Sequence, residues 1–466
     1  MGAAVFVAAL LIIALAAAIV IGSIRYGGPN ELVQRVRAEI ALFRPHPEFV
    51  PTPLPMPTGP TPLEVAPSSR LPVPTPALTP TPVALPAAPQ PTTIAALPAA
   101  TLLPAALERP APLPAVPATA AAPRPAAPVP PSAAVQLTGL THMWQKWNNC
   151  APATLAMYLS HFGAAPTQDY LALALKGTPD DKNVSPDEVA AYVKSQGLSA
   201  LVRVNGDLDR LRLFLSNGMP VMLETWLEDG PNNGMGHYRL VTGYDDTTRQ
   251  FTLFDSYVSA GVRSDQPYEG IRIGYDDLLK LWTVFNRTYI LVYRPEKAPL
   301  VASILGADAG DAAMRQRALA QAQLEVKGRP KDPFAWFNLG TDQVALGNYD
   351  EAAKNYGTAR VIGLPWRMLW YQFGPFRAYY QTGQYEELTA LANATIRTRG
   401  DVEEIYYWKG LGLAAAGDVN EARKTWQQAL QFNARFADAA TALTATAQSP
   451  QKGPLIFTLP AAAHGG

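Results

Sequence analysis

The sequence predicts an α+β domain followed by an all-α solenoid of helical repeats, set behind an N-terminal transmembrane helix and a disordered Pro-rich linker. Three observations carry this. An unbroken apolar run, Ala3 to Ile21, opens the chain. Of 45 prolines in 466 residues, more than half fall between Pro45 and Pro131. Beyond them, helix and strand patterns mix until about residue 297, after which only helix patterns remain.

Charge and cysteine content narrow the function. Lys+Arg is 38 and Asp+Glu is 38, so the net charge is zero. No basic run supplies the field a nucleic-acid binder needs, and no nucleic-acid partner is expected. With Cys150 the single cysteine, an intrachain disulfide and a Cys-rich metal site are excluded. No Walker A loop, His-Glu-x-x-His or EF-hand loop occurs.

Residues 1–27 form the anchor. Gly22, Ser23 and Ile24 extend the apolar run without a charge, and its length as a helix, about 33 Å, crosses a hydrocarbon core of about 30 Å. A cleaved signal peptide would want a basic start, which Met-Gly-Ala-Ala lacks. Arg25, Arg35, Arg37 and Arg44 follow the run, and by the positive-inside rule they favour a cytoplasmic C-terminus. An anchor followed by a long Pro/Thr spacer is the usual build of a displayed domain, and on that ground the soluble parts are placed on the extracytoplasmic side of a single-pass protein. Residues 28–44 follow as a juxtamembrane helix, capped by Asn30, with Leu32, Val36, Ile40 and Phe43 on one side.

Residues 45–136 repeat Pro-Thr-Pro and Ala-Pro units. Proline fixes φ and removes a backbone donor, so the tract is a disordered linker of polyproline II character, reaching at most about 270 Å.

The α+β domain spans 137–297. A helix starts at Cys150–Pro152 and ends before Gly163. A second carries the capping box Ser185-Pro186-Asp187-Glu188 and closes at Gly197; a third covers Asp207–Ser216. Strands follow at Met219–Thr225, Tyr238–Tyr244, Phe251–Phe254 and Tyr289–Tyr293, with Asp245–Thr248 as a turn.

In residues 305–447, Gly347, Gly383 and Gly417 recur about every 35 residues. Trp336-x2-Leu339-Gly340, Gly347-Asn348-Tyr349 and Tyr356 mark one unit; Gly410, Ala422, Trp426 and Ala429 mark the third. This pattern resembles the tetratricopeptide repeat, with a degenerate second unit where Leu388 replaces an expected alanine. The resemblance implies a groove that binds a protein or peptide partner. The aromatic cluster Trp366, Trp370, Tyr371, Tyr379 and Tyr380 reads as repeat core, and residues 448–466 read as a disordered tail.

Chemistry centres on Gln145-Lys146-Trp147-Asn148-Asn149-Cys150-Ala151-Pro152. A cysteine in the first turn of a helix meets the positive end of the helix dipole, which favours a thiolate. Among the 5 histidines, His46 and His464 lie in linker and tail, His142 just before the helix and His161 too far along it. His237 opens a strand after the flexible Gly234-Met235-Gly236, and Asp255 ends the next strand. A hairpin would set this carboxylate beside the imidazole, the arrangement of a catalytic triad. Gln145 can donate an amide N–H to an oxyanion alongside the Cys150 backbone N–H.

Gln-x4-Cys-x-Pro-Ala, then His-Tyr-x-x-Val-x-Gly-Tyr-Asp, then an Asp closing the next strand, resembles the bacteriocin-processing cysteine peptidases that remove double-glycine leaders. The similarity covers 137–297, including Gly218-Met219-Pro220-Val221. It implies a papain-like cysteine peptidase fold, with Cys150 as nucleophile, His237 as base, Asp255 as orienting acid and Gln145 as oxyanion donor. Ala151 stands where that family usually has glycine. The implied function is a membrane-anchored peptidase that hydrolyses peptide or protein substrates without a cofactor, while its repeats bind a protein partner. Two alternatives stay open: an inactive peptidase-like scaffold, and an amidase acting on cell-wall amides. Asp180-Asp181-Lys182 and Glu228-Asp229-Gly230 read as solvated loops.

Overall fold

Burial all round is what an apolar helix inside a domain requires. From Ala151 to Leu159 every residue of the helix Cys150–Ser160 (α1) is buried. Its two polar members are satisfied by the sheet beneath: Thr154 Oγ1 donates to the Tyr238 carbonyl at 3.3 Å, and Tyr158 Oη accepts from Val292 N at 2.9 Å. The computed structural model describes residues 20, 47–54, 127–228, 234–259, 262, 266–448 and 454–459. The expected transmembrane helix apart from Val20, the juxtamembrane helix, most of the linker and the loop Glu228–Gly230 past its first residue lie outside these. Among the described residues no helix is long and apolar enough to cross a membrane.

The first part of the described chain runs β1 (Ala134–Gln136), α1, α2 (Gln168–Leu175), α3 (Pro186–Ser195), β2 (Ser199–Arg203), α4 (Leu208–Ser216), β3 (Val221–Glu228), β4 (Gly234–Asp245), β5 (Gln250–Asp255), β6 (Ile271–Gly274), α5 (Tyr275–Thr283) and β7 (Tyr289–Tyr293). The strands form one antiparallel sheet in the order β2-β7-β3-β4-β5-β6, with β1 also pairing to β4. One face carries a core built with α1, α2 and α3; the other carries a core built with α4, α5 and the later helix α6 (Ala298–Leu305). Strands covered on both faces read as continuous apolar runs, as in Tyr-Ile-Leu-Val-Tyr of β7. The capping box at Ser185 forms as expected: Ser185 Oγ accepts from Glu188 N, and Glu188 Oε2 accepts from Ser185 N at 2.8 Å.

Helices and strands are interleaved here, whereas the sequence suggested helices first and strands after. The additions are α2, α5 and the short strands β1, β2 and β6. Each is short, and β2 finds its only strand partner in β7, far along the chain, so local pattern carries little of the signal.

The second part is helical: α7 (Asp311–Gly328), α8 (Pro333–Ala345), α9 (Tyr349–Ile362), α10 (Gly374–Gln381), α11 (Tyr385–Thr398), α12 (Glu403–Ala415), α13 (Val419–Phe432) and α14 (Ala437–Gln448). The small-residue signature has a steric cause. A Cβ at Gly410 in α12 would stand 2.3 Å from Trp426 Nε1 in α13. In the degenerate unit a 3₁₀ turn at Trp366–Trp370 precedes the short helix α10, and Leu388 is fully buried where alanine was expected.

Two expectations need correction. The span 45–136 is not linker throughout: Val50 is buried and donates its N–H to the Leu364 carbonyl at 2.8 Å, and Arg360 Nε donates to the Pro51 carbonyl at 2.7 Å. Its far end forms β1, and Tyr244 Oη donates to the Ser132 carbonyl. The span 448–466 is not tail throughout either, because α14 ends at Gln448 and Leu455 N donates to the Ala414 carbonyl at 2.8 Å, while Phe457 meets the Trp426 ring.

The two folded parts pack against each other across a shared, buried boundary. Trp226 of β3 is buried between Phe285 and Phe334, one from each part. Asn286 Nδ2 donates to Asp342 Oδ1 at 2.8 Å, Asn338 Nδ2 to the Thr283 carbonyl at 2.7 Å, and Arg435 to the Lys176 carbonyl at 2.7 Å. Arg287 and Glu325 form a buried ion pair across the same boundary. Buried polar groups demand their partners. A chain ending at Lys297 is therefore expected to melt at lower temperature than the full chain and to bind a hydrophobic dye at the exposed Trp226–Phe285 surface. Thermal unfolding followed by circular dichroism checks this; equal melting points would contradict it.

Candidate active site

Register places the polar cluster. In the β4–β5 ladder Arg239 faces Asp255, and His237 lies two residues earlier on the same side of β4. The Asp255 carboxylate, fully buried, serves both: Oδ1 accepts from His237 Nε2 at 3.0 Å and Oδ2 from Arg239 Nε at 2.9 Å. Oδ1 also accepts the backbone N–H groups of Tyr257 and Val258, each at 2.8 Å. Burial alone would push this carboxyl up, but His237, Arg239 and these N–H bonds hold it well below the ordinary carboxylate range. His237 is buried too. Burial pulls its imidazole down, Asp255 and a hydrogen bond with Cys150 more than reverse that, and the net shift is upward. With Nε2 engaged by Asp255, Nδ1 is the ring atom left for the thiol.

The structure thus brings Cys150, His237 and Asp255 together in one hydrogen-bonded row. Gln145 stands beside it, joined to the segment after Asp255. Its N–H donates to the Ser256 carbonyl at 2.8 Å, and its Oε1 accepts from Ser256 Oγ at 2.8 Å. An amide whose oxygen is so held presents its N–H donors on the other side.

Cys150 opens α1, and no side chain caps that helix start. Asn149, at the cap position, is drawn elsewhere: Nδ2 donates to Gln168 Oε1 at 3.2 Å and Oδ1 accepts from Lys176 Nζ at 3.1 Å. First-turn N–H groups left uncapped form an anion-binding end. Gln168 also takes Lys146 N and donates to the Trp144 carbonyl, so the loop before the thiol is held along its length.

The expected solvated loop Asp180-Asp181-Lys182 is instead part of this support. Asp181 is buried and accepts from Gly177 N and Asn183 N, and Asp180 accepts from Trp147 Nε1 at 3.2 Å. Lys182 borders the thiol's cavity, where burial and then Arg399 push its ammonium down to about 8. Gly234–Gly236, expected as flexible, belongs to β4. A Cβ at Gly236 would stand 3.1 Å from the Tyr371 ring. Tyr371, expected as repeat core, borders the cavity of Cys150 and His237.

His142 does not compete for the base role. It stacks on Tyr268 with ring centroids 3.4 Å apart, bonds the Asp255 carbonyl through Nε2 at 2.8 Å, and is pushed down by burial. Trp144 is largely exposed and meets His142 edge-on. His46 and His464 lie outside the described residues. Sequence reasoning missed Arg239, Glu224, Gln168 and Lys176. The His-x-Arg spacing on a strand that ends opposite Asp was a usable signal for the first.

Asp255→Asn should shift the His237 titration downward, below 6.5, because burial and the Arg239 charge remain once the carboxylate is gone. Ring-proton NMR measures it. Leaving Arg239 buried without its partner should also cost about 3–5 kcal/mol of stability. The pair sets a pH window: the raised His237 contribution is full below 6.5 and lost as pH rises through its folded value. The lowered Asp255 contribution is full above 3.8 and lost only as pH falls through its depressed value.

Residues 132–288 match the model of the Peptidase_C39 like family. No curated protein matches the sequence. Among solved structures, a putative C39-like peptidase from Bacillus anthracis is similar at 14% identity over 34% of this chain and 98% of its own, with a TM-score of 0.28. The peptidase domain of Streptococcus ComA, a bi-functional ABC transporter involved in a quorum-sensing pathway, is similar at 18% identity over 34% of this chain and 99% of its own, TM-score 0.26. YrrB, a tetratricopeptide-repeat protein with an unusual peptide-binding site, is similar at 18% identity over 33% of this chain and 77% of its own, TM-score 0.27. The family match, together with the sheet, the enclosed helix and the Cys–His–Asp row, identifies residues 132–288 as a domain of the C39-like peptidase family.

Proposed function

We propose that the protein is a cysteine peptidase that hydrolyses peptide bonds through Cys150, His237 and Asp255. The single observation that carries this is the hydrogen-bonded row that runs from the thiol at the start of α1 through His237 to the buried Asp255. In this reading Cys150 Sγ, as thiolate, attacks the scissile carbonyl carbon, and the carbonyl oxygen takes the negative charge. Gln145 Nε2 and first-turn N–H groups of α1 stabilise that oxyanion. His237 Nδ1, protonated in the resting pair, gives its proton to the departing amine as the C–N bond breaks. A thioester remains. His237 then takes a proton from water as the water oxygen attacks the thioester, and the second collapse releases the acid and restores the pair. Asp255 keeps Nε2 protonated and balances the imidazolium throughout. No step calls for a metal or cofactor.

The helical repeats are assigned the binding of a protein or peptide, and residues 1–27 are assigned as a single-pass anchor with the folded parts on the extracytoplasmic side. Protease accessibility of the folded parts in intact cells, compared with cells opened by lysis, tests the orientation.

The direct test of the peptidase reading uses fluorogenic peptides and the full chain. Cys150→Ala should abolish hydrolysis, and its folding should be unchanged by circular dichroism. Gln145→Ala should lower kcat by about 10²–10³ with little change in KM, as for loss of one oxyanion donor. Hydrolysis that persists in Cys150→Ala would remove the reading.

A further inference from the structure

Beside the thiol's cavity lies a larger one of about 290 Å³, walled by the sheet domain on one side and the helical repeats on the other. Asn183, Glu224 and Tyr371 border both cavities, so the larger one adjoins the cavity that Cys150 and His237 line. Its walls hold the carboxyls of Asp187, Glu188, Glu224 and Glu404, and no Lys or Arg is among the residues that line it. Of the two cations that act on Asp187, Arg315 pairs with Asp342 at 3.6 Å and Lys194 lies in the last turn of α3. Four rings complete the wall: Phe285, Tyr371, Phe373 and Phe436.

The carboxyls are not equally satisfied. Glu188 is held in the capping box. Glu224 is 5% exposed, and its Oε2 has no hydrogen-bond partner. Glu404 accepts from Asn183 Nδ2 through Oε1 at 2.7 Å, and its Oε2 is likewise buried without a partner. An unmatched buried acceptor costs about 1–3 kcal/mol, more when it carries charge. Both residues, Glu224 from β3 and Glu404 from α12, line a single cavity.

We propose that this cavity receives a cationic group of the peptide substrate, a Lys or Arg side chain or a free amino terminus, held between Glu224 and Glu404. The inference rests on the peptidase reading for the identity of its ligand as a peptide. An organic cation suits the site better than a metal ion, since among the described residues no three His, Cys, Asp or Glu gather as a ligand set. The volume lies at the small end of ligand sites, about 300–1,000 Å³, and suits one side chain rather than a folded partner. Aromatic faces add cation–π attraction.

The electrostatics agree. Burial, first of all, pushes Asp187 up to about 6, Glu188 to about 7 and Glu224 to about 8, and it raises Glu404 beside Glu403. Burial thus favours the protonated form most strongly at Glu224 and Glu404. An arriving cation favours the ionised form, and away from bulk water that pairing is strong. A neutral isostere gains nothing from it, so the site discriminates by charge.

The test uses the full chain carrying Cys150→Ala, so that no peptide is consumed, and dye-labelled hexapeptides read by fluorescence anisotropy. Each peptide carries Lys, Arg or norleucine at a scanned position, with the amino terminus free or acetylated. Cationic peptides should bind about tenfold or more tightly than acetylated norleucine peptides, a difference of about 1.4 kcal/mol. The acetylated arm assigns the preference to a side chain and the free arm to the terminus. The preference should collapse in Glu404→Gln and in Glu224→Gln, each checked by its melting point; retention in both folded variants overturns the proposal. Equal binding of charged and neutral peptides, or binding of neither, also overturns it. Charge-blind cleavage by the wild-type chain removes this inference and leaves the peptidase reading standing. Charge-selective binding by a chain that hydrolyses nothing does the reverse.

Discussion

The Asp255 carboxylate is fully buried, and the neighbourhood of the thiol is arranged around that fact. Its two oxygens take His237, Arg239 and the N–H groups of Tyr257 and Val258. Its backbone carbonyl accepts from His142, and the next residue, Ser256, is bonded twice to Gln145. One residue at the end of β5 thus ties down the strand that carries the imidazole and the segment that leads to the thiol. A buried charge must be met from several sides, and meeting it fixes parts that are distant in sequence.

The helical repeats take part in the same arrangement. Tyr371 lies against Gly236, one residue before His237, and Gln372 bonds Glu224 on the neighbouring strand. The polar pairs across the boundary are buried, and buried polar pairs tolerate little sliding. The cavity beside the thiol is therefore walled by both folded parts, and the identity of residues in the repeats bears on its shape.

Much of the sheet domain was legible in the sequence because its signals are local. The capping box at Ser185, the helix from Cys150 and the run of β7 each declare themselves within one element. The row Cys150–His237–Asp255 was legible as well, since strand pairing of consecutive segments follows from the turn at Asp245–Thr248. What escaped depends on long-range packing. Asp181 looks solvated by composition, yet it is buried by partners on either side of it and by a loop that leads to the thiol. Tyr371 carries the pattern of repeat core, and only the apposition of two parts turns it toward the site. Glu224 sits in an apolar strand with nothing in its surroundings in sequence to mark it.

The docking of residues 47–53 alters the geometry of any attachment to a surface. Val50 and Pro51 are fastened to the repeats at Leu364 and Arg360, and Ser132 is fastened to the sheet domain at Tyr244, so the chain after residue 51 adds nothing to the reach of an attachment that precedes it. An anchor at residues 1–27 would hold the folded parts by the chain between residues 28 and 46 alone. Fully extended, that is about 65 Å of contour, against the reach of about 270 Å that the proline-rich span suggests. Anything such an anchored body meets would have to come within a molecular diameter or two of the surface.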